Sequence, residues 1–167
     1  MNDTKLFGQK EIFAIEIGNT KTKMMFKLRF WVRNRKIGSF TKSGELSFSV
    51  QELNRFIDNK EHFYLDIFDS LDPAGIYDYI TGIGLALKGK VRNNKVFEER
   101  KFFYLLFGMQ FNTVSSGILL LYKQSEVIFL LPREGHFVID QERIPFEDFL
   151  NVVQEYTKFY QNEILVR

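Results

Sequence analysis

Gly84 to Val91 reads G-L-A-L-K-G-K-V, which follows the phosphate-cradling loop pattern up to its last position, where a Ser or Thr hydroxyl should hold magnesium. Val91 has no such oxygen. That loop should also lead into a helix whose N-terminus faces the phosphates, whereas Arg92, Asn93 and Asn94 follow and interrupt any helix there. Asp66, Asp69 and Asp72, and separately Glu98 and Glu99, are carboxylates spaced closely enough for acid–base or metal work. Such work needs two groups whose surroundings drive their pKa values apart, and nothing in these stretches distinguishes one carboxylate from the next. They read as solvated faces. His62 and His136 stand alone with no nucleophile pattern around either, so the spacing supports neither a metal site nor a triad. With no cysteine there is no disulfide framework, thiolate ligand or thiol nucleophile, in keeping with a reducing compartment. The expectation is a protein that is not an enzyme, with no cofactor and no catalytic or metal-binding residues.

The chemistry that the sequence does concentrate is charge. Between Ile17 and Gly44 stand eight basic residues and no acid. From residue 21 onward the odd positions read Lys21, Lys23, Met25, Lys27, Arg29, Trp31, Arg33, Arg35, and the even positions Thr22, Met24, Phe26, Leu28, Phe30, Val32, Asn34. Successive side chains of a strand point to opposite sides. Met24, Phe26, Leu28, Phe30 and Val32 are therefore expected in a core, and Lys23, Lys27, Arg29, Trp31 and Arg33 on a solvent-facing cationic ladder. That ladder is the candidate partner-binding surface. Lys and Arg interleaved with Trp31 also suit a small nucleic-acid-binding or regulatory protein that uses strand 21–35, although stacking platforms offer several rings and Phe26 and Phe30 lie on the opposite face. Residues 45–78 hold eight acids against Arg55 and Lys60. This segment is either a surface of opposite sign, and so a rival binding face, or a set of elements neutralised by their neighbours.

Elements that position these residues follow from periodicity and punctuation. Ile12 to Ile17 is an apolar strand, and Gly18, Asn19 and Thr20 turn it into the basic strand. A third strand, Ile37 to Phe40, folds back after Asn34, Arg35 and Lys36. Ser49 with Glu52 has the form of a capping box, and Val50, Leu53, Phe56 and Ile57 repeat behind it at helical spacing to about Asn59. Asp72 before Pro73 starts a short second helix. Leu85 to Val91 alternates, with Lys88, Lys90 and Arg92 on one side, and Phe102 to Phe107 is apolar throughout, as a buried strand or a helical turn would be. Ile118 to Tyr122 and Val127 to Leu131 form a hairpin. Phe137 to Ile139 reads as a short strand, after which Pro145 opens a helix whose apolar positions include Phe146, Phe149, Leu150, Val153, Tyr156 and Tyr160.

The predicted architecture is α+β, a mostly antiparallel sheet with a few helices on one face, including a C-terminal one. Its 167 residues suit one domain, 1–167. There are 19 Phe, an aromatic supply suited to strands and large packed layers. Met1 to Lys10 lacks the apolar stretch of a signal peptide, and Gly117 to Leu131 is broken by Lys123, Gln124, Ser125 and Glu126, too polar in its middle to span a bilayer. The expected location is cytoplasmic, with no membrane partner.

The segment Leu6-Phe7-Gly8-Gln9-Lys10-Glu11-Ile12-Phe13-Ala14-Ile15-Glu16-Ile17, followed by Phe30-Trp31-Val32-Arg33-Asn34-Arg35-Lys36-Ile37-Gly38, resembles the start of bacterial immunity protein family forty-two of the polymorphic-toxin systems. Members of that family have an F-A-I-E strand and a later aromatic-Trp strand ending in I-G. The likeness covers about the first forty residues. This chain departs from the pattern at Arg35, which follows Asn34 where Gly is usual, and at Ser39, where an acid is usual. The resemblance implies a non-catalytic immunity protein whose partner is a cognate protein toxin, which it binds and neutralises.

Overall fold

The computed structural model describes residues 4–20, 25–81, 103, 118–133 and 138–166. Its first sheet is a meander of four antiparallel strands in chain order: β1 Thr4–Gln9, β2 Phe13–Asn19, β3 Phe26–Val32 and β4 Arg35–Ile37. β2 and β3 run in the register Ile15 opposite Phe30 and Glu16 opposite Arg29. Alternation puts Phe26, Leu28, Phe30 and Val32 in the core, as expected from the spacing, with Leu28, Phe30 and Val32 wholly buried. Between β3 and β4, Arg33 and Asn34 have φ of 50° and 65°, the left-handed pair of a two-residue hairpin turn that favours Asn and Gly. The strain at Arg33 is offset by anchoring. Its N–H donates to the Ile12 carbonyl at 3.1 Å, and the Asn34 N–H to the Lys10 carbonyl at 2.7 Å.

The second sheet is also an antiparallel meander, β5 Leu119–Lys123, β6 Glu126–Pro132 and β7 Ile139–Pro145. Gln124 and Ser125, with φ of 50° and 63°, form the β5–β6 turn. The α+β antiparallel class is thus observed, with the strands divided between two sheets. The strand expected at Ile37 to Phe40 is β4 and lies at Arg35–Ile37, and β7 runs six residues beyond Ile139. Leu85 to Val91 and Phe102 to Phe107 lie outside the described residues, except for Phe103, which is buried.

Helix α1 spans Leu46–Asp58, α2 Pro73–Thr81 and α3 Phe146–Phe159, the last continuing into a π-helical turn at Tyr160–Ile164. Two short 3-10 turns, Lys60–His62 and Asp66–Ser70, connect α1 to α2. Asp72 caps α2 by accepting the Gly75 N–H at 2.7 Å. Ser49 does not cap α1. Leu46 continues the apolar stripe of Val50 and Leu53 one turn backward, so the helix starts there and Ser49 lies inside it. Its hydroxyl donates to the Leu46 carbonyl at 2.8 Å and shares a 2.7 Å hydrogen bond with the buried Tyr156 hydroxyl of α3. Burial pushes the Tyr156 phenol far above its ordinary pKa.

Helix α3 packs on β1, β2, β6, β7 and α1. Phenylalanines join these layers: Phe13 lies 5.7 Å from Phe129 and 5.0 Å from Phe149 between ring centroids, and Phe149 continues to Phe56 at 5.5 Å and Phe56 to Phe63 at 4.7 Å. Gly8 admits α3 to β1. Its φ is +84°, and a Cβ there would stand 2.4 Å from Val152 Cγ2 and 2.5 Å from the Phe13 carbonyl oxygen. Since the carbonyl is backbone and cannot swing away, Gly8→Ala is expected to cost about 2–4 kcal/mol in urea melts, combining left-handed strain with overpacking. A loss within about 0.5 kcal/mol, the range of surface substitutions, would refute this packing.

Candidate partner-binding face

Core-facing residues of β2 and β3 leave Ala14, Glu16 and Gly18 on the opposite face, directly across from Trp31, Arg29 and Lys27. α3 and α1 lie on the core side, and among the described residues no helix covers this outer face. Glu16 is the carboxylate among these cations. Its Oε2 accepts the Arg29 Nε–H at 2.7 Å and the Trp31 Nε1–H at 2.6 Å, and the residue is only 6% exposed. Burial drives the Glu16 carboxyl upward, but the hydrogen bonds from Arg29 and Trp31 and the charges of Arg29 and Lys10 outweigh it and hold the carboxyl below its ordinary pKa. Glu16 is therefore an anion at neutral pH.

Around this anion the face is layered. The Arg29 guanidinium stacks 4.2 Å from the centroid of Phe40 and 5.0 Å from that of Trp31. Phe40 can lie there because Gly18 beneath it has no side chain; a Cβ would come within 3.0 Å of the ring. Lys10, from the β1–β2 turn, and Lys36, from β4, place their ammonium groups 4.2 and 5.3 Å from the Trp31 centroid. Trp31 is consequently 8% exposed. Alternation alone puts it on a solvent-facing ladder. It is on the expected face, but long cationic stems from neighbouring strands cover it.

The remaining ladder residues separate. Lys27 stays half-exposed on the outer face beside Gly18. Arg33 falls in the β3–β4 turn and donates through Nη2 to the Arg143 carbonyl of β7 at 3.1 Å, so it is directed to the second sheet and away from the Trp31 cluster. Arg35 Nη1 meets Asp140 Oδ2 at 2.5 Å, where Arg133 Nε also donates at 2.8 Å. Those contacts tie β4 to β7. Lys23 lies outside the described residues. Lys10, Lys36, Phe40 and Glu16 were not singled out by the alternation, because three of them come from neighbouring elements and Glu16 stands one residue before the acid-free stretch.

The family model for immunity protein 42 matches residues 5–159. This chain belongs to the immunity protein 42 family. No curated protein and no solved structure matches it. Membership implies toxin neutralisation, in a family whose members are typically non-catalytic.

For an immunity protein 42 member the remaining polar clusters read as structure. Asp69 accepts the Tyr64 hydroxyl at 2.7 Å and pairs with Lys123. The hydrogen bond from Lys123, then that from Tyr64, lowers the Asp69 carboxyl, the bond to Asp69 raises the Lys123 ammonium, and burial followed by the bond to Asp69 raises the Tyr64 phenol. Each group is thereby held in its ordinary charge state, the reverse of a tuned acid–base pair. Asp66 is exposed in the second 3-10 turn and Asp72 caps α2. His62 lies in the first 3-10 turn, while Glu98, Glu99, His136 and Gly84 to Val91 are outside the described residues. Among the described residues no three acidic or histidine side chains group as a metal site, and no helix is long and apolar enough to cross a membrane.

Three of the eight acids of the stretch 45–78 form ion pairs with described residues. Glu52 pairs with Arg55, Glu61 with Lys60 and Asp69 with Lys123. A cleft of about 210 Å³ lined by Thr4, Lys5, Ile17, Asn19, Phe159, Glu163 and Ile164 is smaller than the ~300–1,000 Å³ usual for small-molecule sites.

Proposed function

We propose that this chain neutralises a cognate protein toxin of a polymorphic-toxin system, the kind used in competition between bacteria, and does so in the cytoplasm by binding the toxin as a single domain. The observation that carries this reading is the family match over residues 5–159. Tight inhibition of this kind needs an interface of about 800 Å² per partner rather than a catalytic constellation. Of the ladder Lys23, Lys27, Arg29, Trp31 and Arg33 expected from the spacing, Lys27, Arg29 and Trp31 lie on the outer face of the first sheet, the proposed docking surface, while Arg33 is turned to the second sheet and Lys23 lies outside the described residues. The support for that surface is an excess of positive charge on a face that no described helix covers. The rival nucleic-acid reading is weakened by Trp31, which is too covered to stack on a base.

Co-expression with the toxin encoded beside its gene tests the function. Cells should survive, and alanine at Asp66, Asp69, Glu98 and Glu99 should leave survival intact. A folded quadruple variant that binds the toxin yet fails to protect would point to chemistry instead of binding.

A further inference from the structure

We infer that Lys10 and Lys36, the two lysines laid over Trp31, receive an Asp- or Glu-rich loop of the toxin, and that Arg29 and Trp31 beneath them are the platform rather than the contact. This rests on the docking face proposed above. Lys10, Arg29 and Lys36 bring three cations to one indole, against the single carboxylate of Glu16. That carboxylate is already committed to Arg29, whose guanidinium is also stacked on Phe40. Neither lysine forms an ion pair with a described residue.

With the Arg29 guanidinium 5.0 Å and the two ammonium groups 4.2 and 5.3 Å from one ring centroid, positive charge is in excess here, and an arriving anion would offset it. Lys27 extends the row on the same face. Leu6, opposite Glu16 in register and 43% exposed, puts an apolar contact beside it, the mixture of apolar and charged ground found in protein interfaces. A phosphate chain would find the same charges, but among the described residues the indole of Trp31 is buried under the lysines and the Phe40 ring is already stacked on Arg29, which leaves its bases a poor platform. An acidic protein loop needs only the charges and the apolar neighbour.

Trp31 is the only tryptophan, so its emission reports this face in the full chain. Titration with a tryptophan-free glutamate 12-mer should give a saturable change in emission that weakens as salt is raised. Lys10→Glu with Lys36→Glu should weaken binding at least about tenfold, Lys10→Gln with Lys36→Gln should weaken it less, and Lys158→Glu, an exposed charge reversal on α3, should leave it unchanged. Matching thermal melts of the variants exclude unfolding as the cause. An unmoved Trp31 emission in the parent, parent-like binding by the doubly reversed variant, or tighter binding of an RNA 12-mer than of the peptide would each overturn the assignment. Protection of toxin-expressing cells is a separate reading. A parent that fails to protect removes the proposed function, whereas a parent and a doubly reversed variant that protect equally remove only these lysines.

Discussion

Replacing Phe30 by alanine is expected to lower the unfolding free energy by about 3–5 kcal/mol. Phe30 is wholly buried, pairs across the sheet with Ile15 and Ile37, and meets Phe13 edge-on with centroids 5.9 Å apart. Phe13 in turn joins the first sheet to Phe129 and to Phe149 of α3. Truncation therefore leaves a cavity where both sheets and a helix converge, and aromatic neighbours on rigid strands cannot collapse to fill it. Its neighbour Arg29 gives the contrast. Alternation alone makes Arg29 an exposed site where truncation costs no more than about 0.5 kcal/mol. The Glu16 pair raises that expectation to about 1–3 kcal/mol, because Arg29→Ala leaves a buried carboxylate with Trp31 as its remaining hydrogen-bond donor. Urea melts of the two variants decide the matter: a loss at Phe30 within about 0.5 kcal/mol, the range of surface substitutions, would refute the register that places even positions inward.

What could be read beforehand divides by how strongly burial is written into residue types. β3 was legible because Phe26, Leu28, Phe30 and Val32 alternate with polar or charged neighbours up to Trp31, and the β5–β6 hairpin because two apolar runs flank a polar turn. β1 was not, since Phe7 is its single buried residue and an exposed edge strand has no alternation to show. Gly8 gave no warning that α3 rests on it. β7 hid for the same reason as β1: Asp140, Gln141, Glu142 and Arg143 form a polar run between the buried Ile139 and Ile144. Ser49 and Glu52 have the residue types of a capping box, yet those types are equally at home inside a first turn when Leu46 prolongs the buried stripe.

The site was half legible in the same sense. Spacing chose the right face of β3 but could not see that Lys10 and Lys36 reach over Trp31 from other elements, because cross-strand neighbours depend on register. One signal was available: Glu16 is a lone carboxylate in the apolar run Phe13 to Ile17, where burial without a cationic or N–H partner would be costly.

The second large effect expected is at Glu16 itself. Glu16→Gln keeps size and shape but removes the charge that Arg29 and Trp31 are arranged around, and should cost about 1.5–3 kcal/mol near neutral pH, the range for hydrogen bonds to a charged group. Phe30→Ala removes packing at any pH, whereas this loss must depend on it. The carboxyl is held below its ordinary value of 4.5, so the folded chain binds the Glu16 proton more weakly than the unfolded chain does. Stability from this group is therefore fully present above about pH 4.5 and fades as the pH falls through the lowered folded value. In acid the parent's own carboxyl becomes neutral and resembles the amide. The gap between parent and Glu16→Gln in urea midpoints should accordingly narrow from pH 7 toward about pH 3, with a matching gain in parental Trp31 emission change as its Nε1–H loses an anionic acceptor. A gap of constant size across that range would show that Glu16 does not hold Arg29 and Trp31 through its charge, and that the outer face owes its order to packing alone.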